Sequence, residues 1–269
     1  MSDTTTSSQW QWQEWEGKPF LTCDLLEQWQ HGFFTSHFSP QMPEDFVSVF
    51  DPTFKSYRLK QVHGNLVLPA SSIQWKEENS HFSQADGIIS DENNQAVFVA
   101  SADCTPALIG DRQTGQVAAV HAGWRGTGKR ILPEAVQKFL DAGSEVKNLV
   151  VALGPAISGE VYQVSTDVAL EMGRSIGFHD LADEPDAMIL ALENIEKSPL
   201  SFDSEPDKTR LDVRRINQIQ LEQLGVEPEQ VAIAPNCTYQ EPDNFFSYRR
   251  SNAKKVQWSG IVSKISSLK

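Results

Sequence analysis

The chain has 269 residues, of which 39% are hydrophobic and 22% charged, so it can bury a full core in one large domain or two smaller ones. Its 36 acidic residues outnumber 23 basic ones, and the net charge of −13 repels a nucleic-acid backbone unless basic side chains cluster. Three cysteines are too few for a disulfide framework, and no stretch approaches the ~18 apolar residues of a membrane span, so we expect a cytoplasmic, globular protein that binds neither nucleic acid nor membrane.

The first third of the chain alternates short β-prone stretches with turns. Residues 1–18 are rich in Ser, Thr, Gln and Trp without a clear period, so we expect a loose start or an edge strand. Aromatic residues predict a strand at 31–38, and another strand is expected at 57–62, ending at His63 in the turn sequence HGN. The Asp-Gly pair at residues 86–87 predicts a hairpin or bend.

Three apolar runs in the middle of the chain predict consecutive strands that are buried on both faces. The runs are QAVFVASADC, TPALIGD and QVAAVHAG. The first ends in Cys104, and the third carries His121 to the glycine-rich turn GWRGTG. Because small residues let a ligand approach the backbone closely, this turn is typical of a functional site at a strand end.

The second half of the chain alternates helical and strand patterns. Periodic apolar positions predict helices at residues 128–142, 165–176 and 209–224. Apolar runs predict strands at residues 148–157, 230–239, 245–250 and 256–265. The acidic segment 179–208 is interpreted as a mobile insert. Since no linker is evident, the pattern indicates a single α/β domain of layered mixed β-sheets with flanking helices, covering residues 1–269.

Three potential metal ligands end apolar strands: His63, Cys104 and His121. Zinc binds imidazole nitrogen and thiolate sulfur, and three protein ligands with a fourth open position are typical of a catalytic site. Their wide spacing matches no zinc-finger pattern, and a Cys104 nucleophile with His121 as its base, as in an amidase, is a second interpretation. Arg125 in the following turn either holds an anion by its guanidinium fork or is an exposed loop arginine.

Five sequence blocks resemble, in the same order, the signatures of the YfiH or laccase-domain family. The blocks are KQVHGN, SADCTPALI, AAVHAGWRGT, LGPAIS with VYQV, and CTYQEPDNFFSYRR, and they extend from about residue 60 to residue 250. The resemblance implies a mixed α/β fold of layered sheets. It also implies a metal, usually zinc and less favourably copper, held by His63, Cys104 and His121.

The resemblance further implies purine nucleoside chemistry. Adenosine, inosine, guanosine or methylthioadenosine would react with phosphate to give the base and ribose 1-phosphate, with adenosine deamination as a second activity. Within this activity, Arg125 and Arg249 are candidates for holding phosphate while charge develops on the sugar. Two alternatives stay open: an amidase that edits cell-wall precursors, with Cys104 as its catalytic residue, and a non-enzymatic metal-bearing interaction protein.

Members of this family have also been called polyphenol oxidases, and the histidine content argues against that activity here. A multicopper oxidase needs two or three imidazoles for each of several copper ions. The chain has six histidines and no His-x-His pair. We therefore expect a single metal site.

The chain departs from the family pattern in two places. TSHFSP at residues 35–40 occupies the position of a Thr-Arg-x-Gly-Gly block, so an arginine is missing there. Near the C-terminus, SYRR is followed by SNAKK in place of a sequence that contains a Gly-Arg pair. If either arginine contacts phosphate or ribose in the family, we expect this chain to differ in substrate preference or activity.

Overall fold

Two six-stranded β-sheets packed face to face form the centre of the protein in a computed structural model, which describes residues 9–76 and 81–265. The strands are β1 Trp10–Trp15, β2 Lys18–Cys23, β3 His31–Phe34, β4 Lys55–Tyr57, β5 Val67–Pro69, β6 Trp75–Lys76, β7 His81–Phe82, β8 Gly87–Ile89, β9 Gln95–Ser101, β10 Thr105–Asp111, β11 Val117–Ala122, β12 Leu149–Leu153, β13 Gln163–Ser165, β14 Leu200–Ser201, β15 Lys208–Leu211, β16 Val231–Ile233 and β17 Gln257–Val262. The helices are α1 Pro43–Phe46, α2 Trp124–Gly128, α3 Ile131–Asp141, α4 Thr166–Ser175, α5 Pro185–Glu193, α6 Val213–Glu222 and α7 Tyr248–Ser251.

The two large sheets differ in the origin of their strands. The first sheet has the order β1-β2-β3-β17-β9-β4, so the C-terminal strand lies between two strands of the N-terminal half. The second sheet has the order β16-β12-β10-β11-β8-β5. Both contain parallel and antiparallel pairs. The chain therefore crosses from one sheet to the other between β9 and β10, and this crossing carries Cys104.

Residues on alternating faces of the central strands enter different layers of the core. In β9, Val97 and Val99 pack between the two sheets, whereas Phe98 packs on the outer face of the first sheet. In β11, Ala119 lies between the sheets and Val120 packs under the helices. Because both faces are covered, these strands are apolar throughout, as the continuous runs in the sequence indicate.

Helices α3 and α6 cover the outer face of the second sheet. The apolar positions of α3 that are fully buried are Ile131, Leu132, Ala135, Val136 and Phe139. Truncating a buried Phe such as Phe139 to Ala costs about 3–5 kcal/mol, so this layer contributes substantially to stability. It holds β11 rigidly, and β11 carries His121.

A smaller third layer consists of the sheet β13-β15-β14 with α4 and α5. Met188 and Leu192 of α5 are fully buried, and a Cβ added to Gly173 of α4 would lie 2.6 Å from the Met188 sulfur. Residues 179–208, interpreted from the sequence as a mobile insert, therefore contain a helix and a strand that pack against the rest of the protein.

The expected fold class, a single α/β domain of layered mixed sheets with flanking helices, is confirmed. The three central strands and the two helices expected at 128–142 and 165–176 are also present, within a few residues. Residues 10–15 of the N-terminal segment form an edge strand paired with β2, and residues 1–8 lie outside the described part of the chain. Among the described residues, no helix is long and apolar enough to cross a membrane.

Several strand and helix predictions are wrong in their extent or type. The strand expected at 57–62 is β4, which ends at Tyr57, and residues 61–64 form a loop. The strand expected at 31–38 ends at Phe34 and is followed by a 3-10 turn. The helix expected from residue 209 starts at Val213, because Lys208–Leu211 pairs with β13 as β15.

The predicted strand at 245–250 is wrong, because residues 245–247 form no regular element and residues 248–250 belong to the short helix α7. The Ser247 side chain accepts a hydrogen bond from the backbone nitrogen of Arg250 at 3.1 Å and caps this helix. A serine cap satisfies a backbone donor that the first helical turn leaves free. The aromatic residues before it had favoured a strand, but this local bond determines the conformation of the YRR sequence.

Candidate metal centre and active site

Strand pairing brings His63, Cys104 and His121 together. In the antiparallel pair β10–β11, Thr105 lies opposite Ala122, so Cys104 is adjacent to the end of β11. The parallel pair β5–β8 places the loop that carries His63 at the same edge of the second sheet. Each of the three residues offers one ligand atom, and these atoms lie within 4.8 Å of one another.

The donor set fits one metal ion. Ligand atoms on a tetrahedral zinc ion lie roughly 3.5 Å apart, given the usual zinc–sulfur and zinc–nitrogen distances. The rings of His63 and His121 are arranged edge to face, with centroids 4.8 Å apart. Small side-chain adjustments would bring the two imidazoles and the Cys104 thiolate onto one ion and leave a fourth position open. Within residues 9–76 and 81–265, His63, Cys104 and His121 form the group of His, Cys or acidic side chains whose ligand atoms lie close enough together to hold a metal.

His63 adopts a left-handed backbone conformation with a φ of 58°. This conformation costs about 1 kcal/mol or more for a residue with a side chain. Three backbone hydrogen bonds to the Asp86 carboxylate hold it: Oδ1 accepts from His63 at 2.9 Å, and Oδ2 accepts from Gly64 at 2.7 Å and from Val62 at 3.1 Å. The HGN sequence therefore forms a tight loop around this carboxylate and does not end a strand.

The same Asp86 carboxylate contacts His121. Asp86 is fully buried, and its Oδ1 lies 2.9 Å from His121 Nδ1. Its backbone oxygen accepts a hydrogen bond from the backbone nitrogen of His121 at 2.7 Å. Burial raises the pKa of the Asp86 carboxyl, but hydrogen bonds from His121 and Gly64 outweigh it and lower the pKa below its usual value. Asp86 is therefore ionised at neutral pH.

The site favours a thiolate at Cys104. Burial alone would raise the pKa of the thiol, but attraction to His121 and hydrogen bonds from both histidines lower it to about 6. Burial likewise would lower the pKa of His121, but the Cys104 thiolate and Asp86 raise it to about 9. A thiolate is the form that binds metal and the form that acts as a nucleophile.

Gly123, which follows the strand that carries His121, packs closely against Cys104 and His63. A Cβ at this position would lie 2.7 Å from the Cys104 sulfur and 3.4 Å from His63 Cδ2. The backbone of Gly123 itself is extended, with a φ of −71° and a ψ of 166°. The glycine is thus required by close packing against two metal ligands and not by its backbone conformation.

Asp103 connects the Cys104 turn to the C-terminal part of the chain. It has a φ of 82°, and its two carboxylate oxygens accept hydrogen bonds of 2.7 Å from the Thr238 hydroxyl and from the backbone nitrogen of Arg249. Its backbone oxygen accepts a hydrogen bond from Ile157 at 3.0 Å. Sequence blocks that are far apart in the chain therefore meet beside Cys104.

Arg249 lies at the start of α7 and stacks its guanidinium on Tyr162. The guanidinium carbon lies 4.8 Å from the centre of the Tyr162 ring, and Nη1 donates a hydrogen bond of 2.8 Å to the backbone oxygen of Gln163. Most of the guanidinium remains exposed and free to bind an anion. Arg250 differs, because its guanidinium donates to the backbone oxygens of Thr238, Tyr239 and Phe245. Arg250 therefore has a structural role in this loop.

Tyr162 contacts the Arg249 guanidinium and borders a cavity together with Cys104. A cavity of about 30 Å³, large enough for a water molecule, is bordered by Tyr162, Cys104 and Trp124. Burial and the nearby Cys104 thiolate raise the pKa of Tyr162 to about 12. The phenol is therefore neutral at physiological pH, and its ring supports the Arg249 guanidinium.

Arg125 lies at the start of α2, next to Trp124, which borders this cavity. Its guanidinium carbon is 4.2 Å from the centre of the Trp124 ring. The side chain is exposed and makes no hydrogen bond or ion pair with the described residues. Two arginines therefore each lie over an aromatic ring that borders this cavity, Arg125 over Trp124 and Arg249 over Tyr162.

A second Cys–His pair lies at a larger cavity of about 410 Å³ on the first sheet. There, His31 Nε2 accepts a hydrogen bond of 2.8 Å from the backbone nitrogen of Cys23, and Nδ1 donates to the backbone oxygen of Trp29 at 2.9 Å. Burial raises the pKa of the Cys23 thiol to about 11. Because both imidazole nitrogens are engaged and the thiol is protonated, this pair is structural.

The sequence predicts five residues for this site, whose roles stay predictions, and it gives no indication of three of their partners. The five are His63, Cys104, His121, Arg125 and Arg249. Asp86 was interpreted only as part of a turn, and Asp103 and Tyr162 were not identified. An acidic residue directly before a cysteine and an aromatic residue in the VYQV block were the available signals, but neither indicates a partner.

Comparisons with known proteins place this geometry in context. The family described as multi-copper polyphenol oxidoreductase laccase matches residues 49–264. A Synechocystis protein named purine nucleoside phosphorylase is 54% identical over 257 residues, covering 94% of this chain and 97% of that protein. Purine nucleoside phosphorylase YfiH of Escherichia coli is 31% identical over 192 residues, covering 71% of this chain and 67% of that protein.

A solved structure shows the same fold. The crystal structure of YlmD from Geobacillus stearothermophilus is similar with a TM-score of 0.77, covering 95% of this chain and 99% of that chain. The two sequences are 21% identical, so this similarity concerns the fold alone.

Proposed function

The chain belongs to the laccase-domain family, also known as the YfiH family, and on that premise we propose that it is a zinc-dependent purine nucleoside phosphorylase. Relatives of 54% and 31% identity bear the name purine nucleoside phosphorylase. The observation that supports the proposal most is the His63, Cys104 and His121 group, together with two arginines that lie over the rings of Trp124 and Tyr162 at the adjoining cavity. On this proposal, a metal site and an anion site adjoin.

Zinc is the proposed metal because the donor set contains one thiolate and two imidazoles. Zinc accepts both donor types and keeps an open position when it has three protein ligands. One group of three ligands holds one ion, whereas polyphenol oxidation by a multicopper enzyme needs several copper sites. When bound, the metal supplies a Lewis acid that polarises an oxygen or nitrogen of the substrate.

Arg125 and Arg249 are proposed to hold phosphate. In phosphorolysis, a phosphate oxygen forms a bond to C1′ of the ribose while the bond from C1′ to the purine nitrogen breaks, and the purine takes up a proton. Guanidinium groups bind phosphate through paired, charge-assisted hydrogen bonds and keep the dianion beside the sugar as positive charge develops on it. Both guanidinium groups are exposed toward solvent, so they are accessible to phosphate from solution.

The proposed substrates are adenosine, inosine, guanosine and methylthioadenosine, with deamination of adenosine as a second activity. The two activities differ in their second reactant, because phosphorolysis consumes phosphate and deamination consumes water. A Lewis acid beside the substrate would serve both. Ribose 1-phosphate and ammonia are therefore separate products that report on each activity.

The central test is the dependence of base release on phosphate and on metal. The purified protein is analysed for bound metal and incubated with adenosine and inosine, with and without phosphate, before and after chelator treatment and after adding zinc back. We expect about one zinc per chain, ribose 1-phosphate only with phosphate, and loss of activity on metal removal that zinc restores. Full activity of the metal-free protein, or no phosphate-dependent base release, contradicts the proposal. Covalent labelling of Cys104 by a thiol-reactive substrate analogue, with amidase activity that chelators do not reduce, favours a Cys104 amidase. Tightly bound zinc without turnover of nucleosides or amides favours an interaction protein.

Cysteine variants provide a matched control. Cys104→Ser removes the thiolate ligand, and we expect it to abolish metal binding and phosphorolysis together. Cys237→Ser changes a buried cysteine whose sulfur accepts a hydrogen bond of 3.3 Å from the backbone nitrogen of Ser158. Since a serine oxygen can accept the same bond, Cys237→Ser should retain metal and activity.

A further inference from the structure

We propose that Asp86 is a positioning residue for the metal centre. Its single buried carboxylate fixes two of the three proposed metal ligands, His63 and His121. Asp86 itself is not among the grouped ligands. The inference rests on the metal-binding part of the proposed function. It assigns to this residue the orientation of His121 and the backbone conformation of His63.

The first line of support is the number of donors that converge on one carboxylate. Asp86 Oδ1 contacts the backbone nitrogen of His63 and Nδ1 of His121, both at 2.9 Å. Oδ2 accepts from the backbone nitrogens of Gly64 at 2.7 Å and Val62 at 3.1 Å. The two ligand-bearing segments are 23 and 35 positions away in the chain. Cys104, the other side chain that contacts both histidines, is itself one of the grouped ligands.

The second line of support is the tautomer that this contact selects. A carboxylate only accepts hydrogen bonds, so the imidazole nitrogen that faces it carries the proton. With Nδ1 of His121 protonated, Nε2 is left as the nitrogen that can bind a metal. A carboxylate behind a metal-binding histidine fixes the ring and raises its basicity in this way.

The third line of support is that this site requires a carboxylate and not merely a polar side chain. All four groups that face the Asp86 oxygens act as donors. In an Asp86→Asn variant, one oxygen becomes an NH₂ group, which would face donors in either orientation of the amide. An NH₂ group in the place of Oδ1 would lose the bond from the His63 backbone nitrogen and weaken the His121 contact. An NH₂ group in the place of Oδ2 would lose the bonds from Gly64 and Val62.

The sheet register places Asp86 in this position. It directly precedes β8, in which Gly87 lies opposite Val120 of β11. On the other side, β8 pairs in parallel with β5, where Gly87 lies opposite Val67. Asp86 is therefore located between the strand that carries His121 and the loop that carries His63, and it is fully buried there.

The proposal is tested by measuring zinc affinity of full-length Asp86→Asn by competition with a chromogenic chelator. We expect roughly a 10- to 100-fold loss of zinc affinity relative to the wild type. The matched control is Asp111→Asn, because Asp111 is also fully buried and its Oδ1 accepts from the backbone nitrogens of Gln113 and Thr114. Asp111 ends β10, roughly 20 Å from the end that adjoins Cys104, so zinc affinity should be unchanged in this control.

The outcomes separate this inference from the proposed function. Zinc affinity of Asp86→Asn equal to that of the wild type overturns the inference while leaving the metal site intact. An equal loss in both variants also overturns it, since the cause would then be a general effect of removing a buried carboxylate. A wild-type protein that binds no zinc overturns the metal site and the inference together.

A measurement on the wild-type protein covers the case in which Asp86→Asn does not fold. Nitrogen-15 NMR of the imidazoles distinguishes the two tautomers of His121 in the zinc-loaded protein. We expect Nδ1 to be protonated and Nε2 to carry the shift of a metal-bound nitrogen. Binding of zinc through Nδ1 of His121 would overturn the proposal.

Discussion

Asp103 accepts a hydrogen bond of 2.7 Å from the backbone nitrogen of Arg249, 146 positions further along the chain. The bond connects the turn that carries Cys104 to the start of α7. The second carboxylate oxygen of Asp103 accepts from the Thr238 hydroxyl, so both ends of the C-terminal loop are fixed to this turn. The position of the Arg249 side chain therefore depends on a residue next to a metal ligand.

The Asp103 contacts predict different effects for two substitutions. In Asp103→Asn, the amide oxygen can accept from the Arg249 nitrogen, the NH₂ group can donate to the Thr238 oxygen, and asparagine tolerates a positive φ. We expect Asp103→Asn to lower the unfolding free energy by less than about 1 kcal/mol. Asp103→Ala removes the acceptor of a buried donor and also places an alanine in a left-handed backbone conformation. It should lower the unfolding free energy, measured by urea denaturation, by about 2–4 kcal/mol. Equal stability of the two variants would contradict this account.

The ring of Tyr162 is predicted to matter for phosphate binding, whereas its hydroxyl is not. Tyr162→Phe keeps the ring 4.8 Å from the Arg249 guanidinium, so the Michaelis constant for phosphate should stay near the wild-type value. Tyr162→Ala removes a stacking interaction of about 0.5–2 kcal/mol, so the Michaelis constant for phosphate should rise roughly 2- to 30-fold. Steady-state kinetics at varied phosphate measures both. A loss of activity in Tyr162→Phe would assign the hydroxyl a chemical role.

The two exposed arginines are predicted to affect phosphate more than nucleoside. Arg125→Ala and Arg249→Ala each remove charge-assisted hydrogen bonds worth about 1.5–3 kcal/mol, so the efficiency with phosphate should fall roughly 10- to 150-fold. Arg112→Ala is the control, because Arg112 is an exposed arginine in the turn after β10, at the end opposite Cys104. Kinetics with phosphate varied at saturating inosine, and the reverse, separate the two substrates. An unchanged phosphate dependence in both variants would exclude these arginines as phosphate ligands.

Gly123→Ala should weaken metal binding while leaving the backbone unstrained. The added methyl group would lie 2.7 Å from the Cys104 sulfur and displace it. The control Gly64→Ala adds a methyl group whose nearest neighbour is Asp86 Oδ2 at 3.5 Å, an ordinary contact. Zinc titration of both variants should show a loss of affinity only in Gly123→Ala. Normal zinc affinity in that variant would mean that the sulfur has room to move.

The buried His31 is predicted to lower stability under acidic conditions. Burial lowers the pKa of this imidazole in the folded protein, so below about pH 6.5 the unfolded chain binds a proton that the folded chain does not. Stability then falls as the pH falls, by at most about 1.4 kcal/mol per pH unit from this residue.

Urea denaturation at pH 7.5 and 5.5 measures this effect of His31. His31→Gln retains an acceptor for the backbone nitrogen of Cys23 but does not titrate, so its stability should fall less between the two pH values. The metal-free protein is used for both variants, so that loss of zinc at low pH does not contribute. An identical fall in both would assign the acid sensitivity to other groups.

The sequence by itself determined the central strands and the candidate metal ligands. The runs that end near Cys104 and contain His121 are apolar because both faces of their sheets are covered, and this leaves a direct trace in the amino-acid order. Imidazole and thiol groups at the ends of such runs leave two interpretations, a metal site and a cysteine nucleophile with a histidine base. These features depend on local composition, which is why they can be recognised without coordinates.

Only the tertiary structure decided how these residues are held. The backbone conformation of His63, the orientation of the His121 ring and the position of the Arg249 backbone depend on Asp86 and Asp103, whose partners lie 22 to 146 positions away. An acidic residue in a turn has the same local pattern whether it faces solvent or accepts four hydrogen bonds. Its role follows from the register of paired strands, and this register is set by packing across the whole domain.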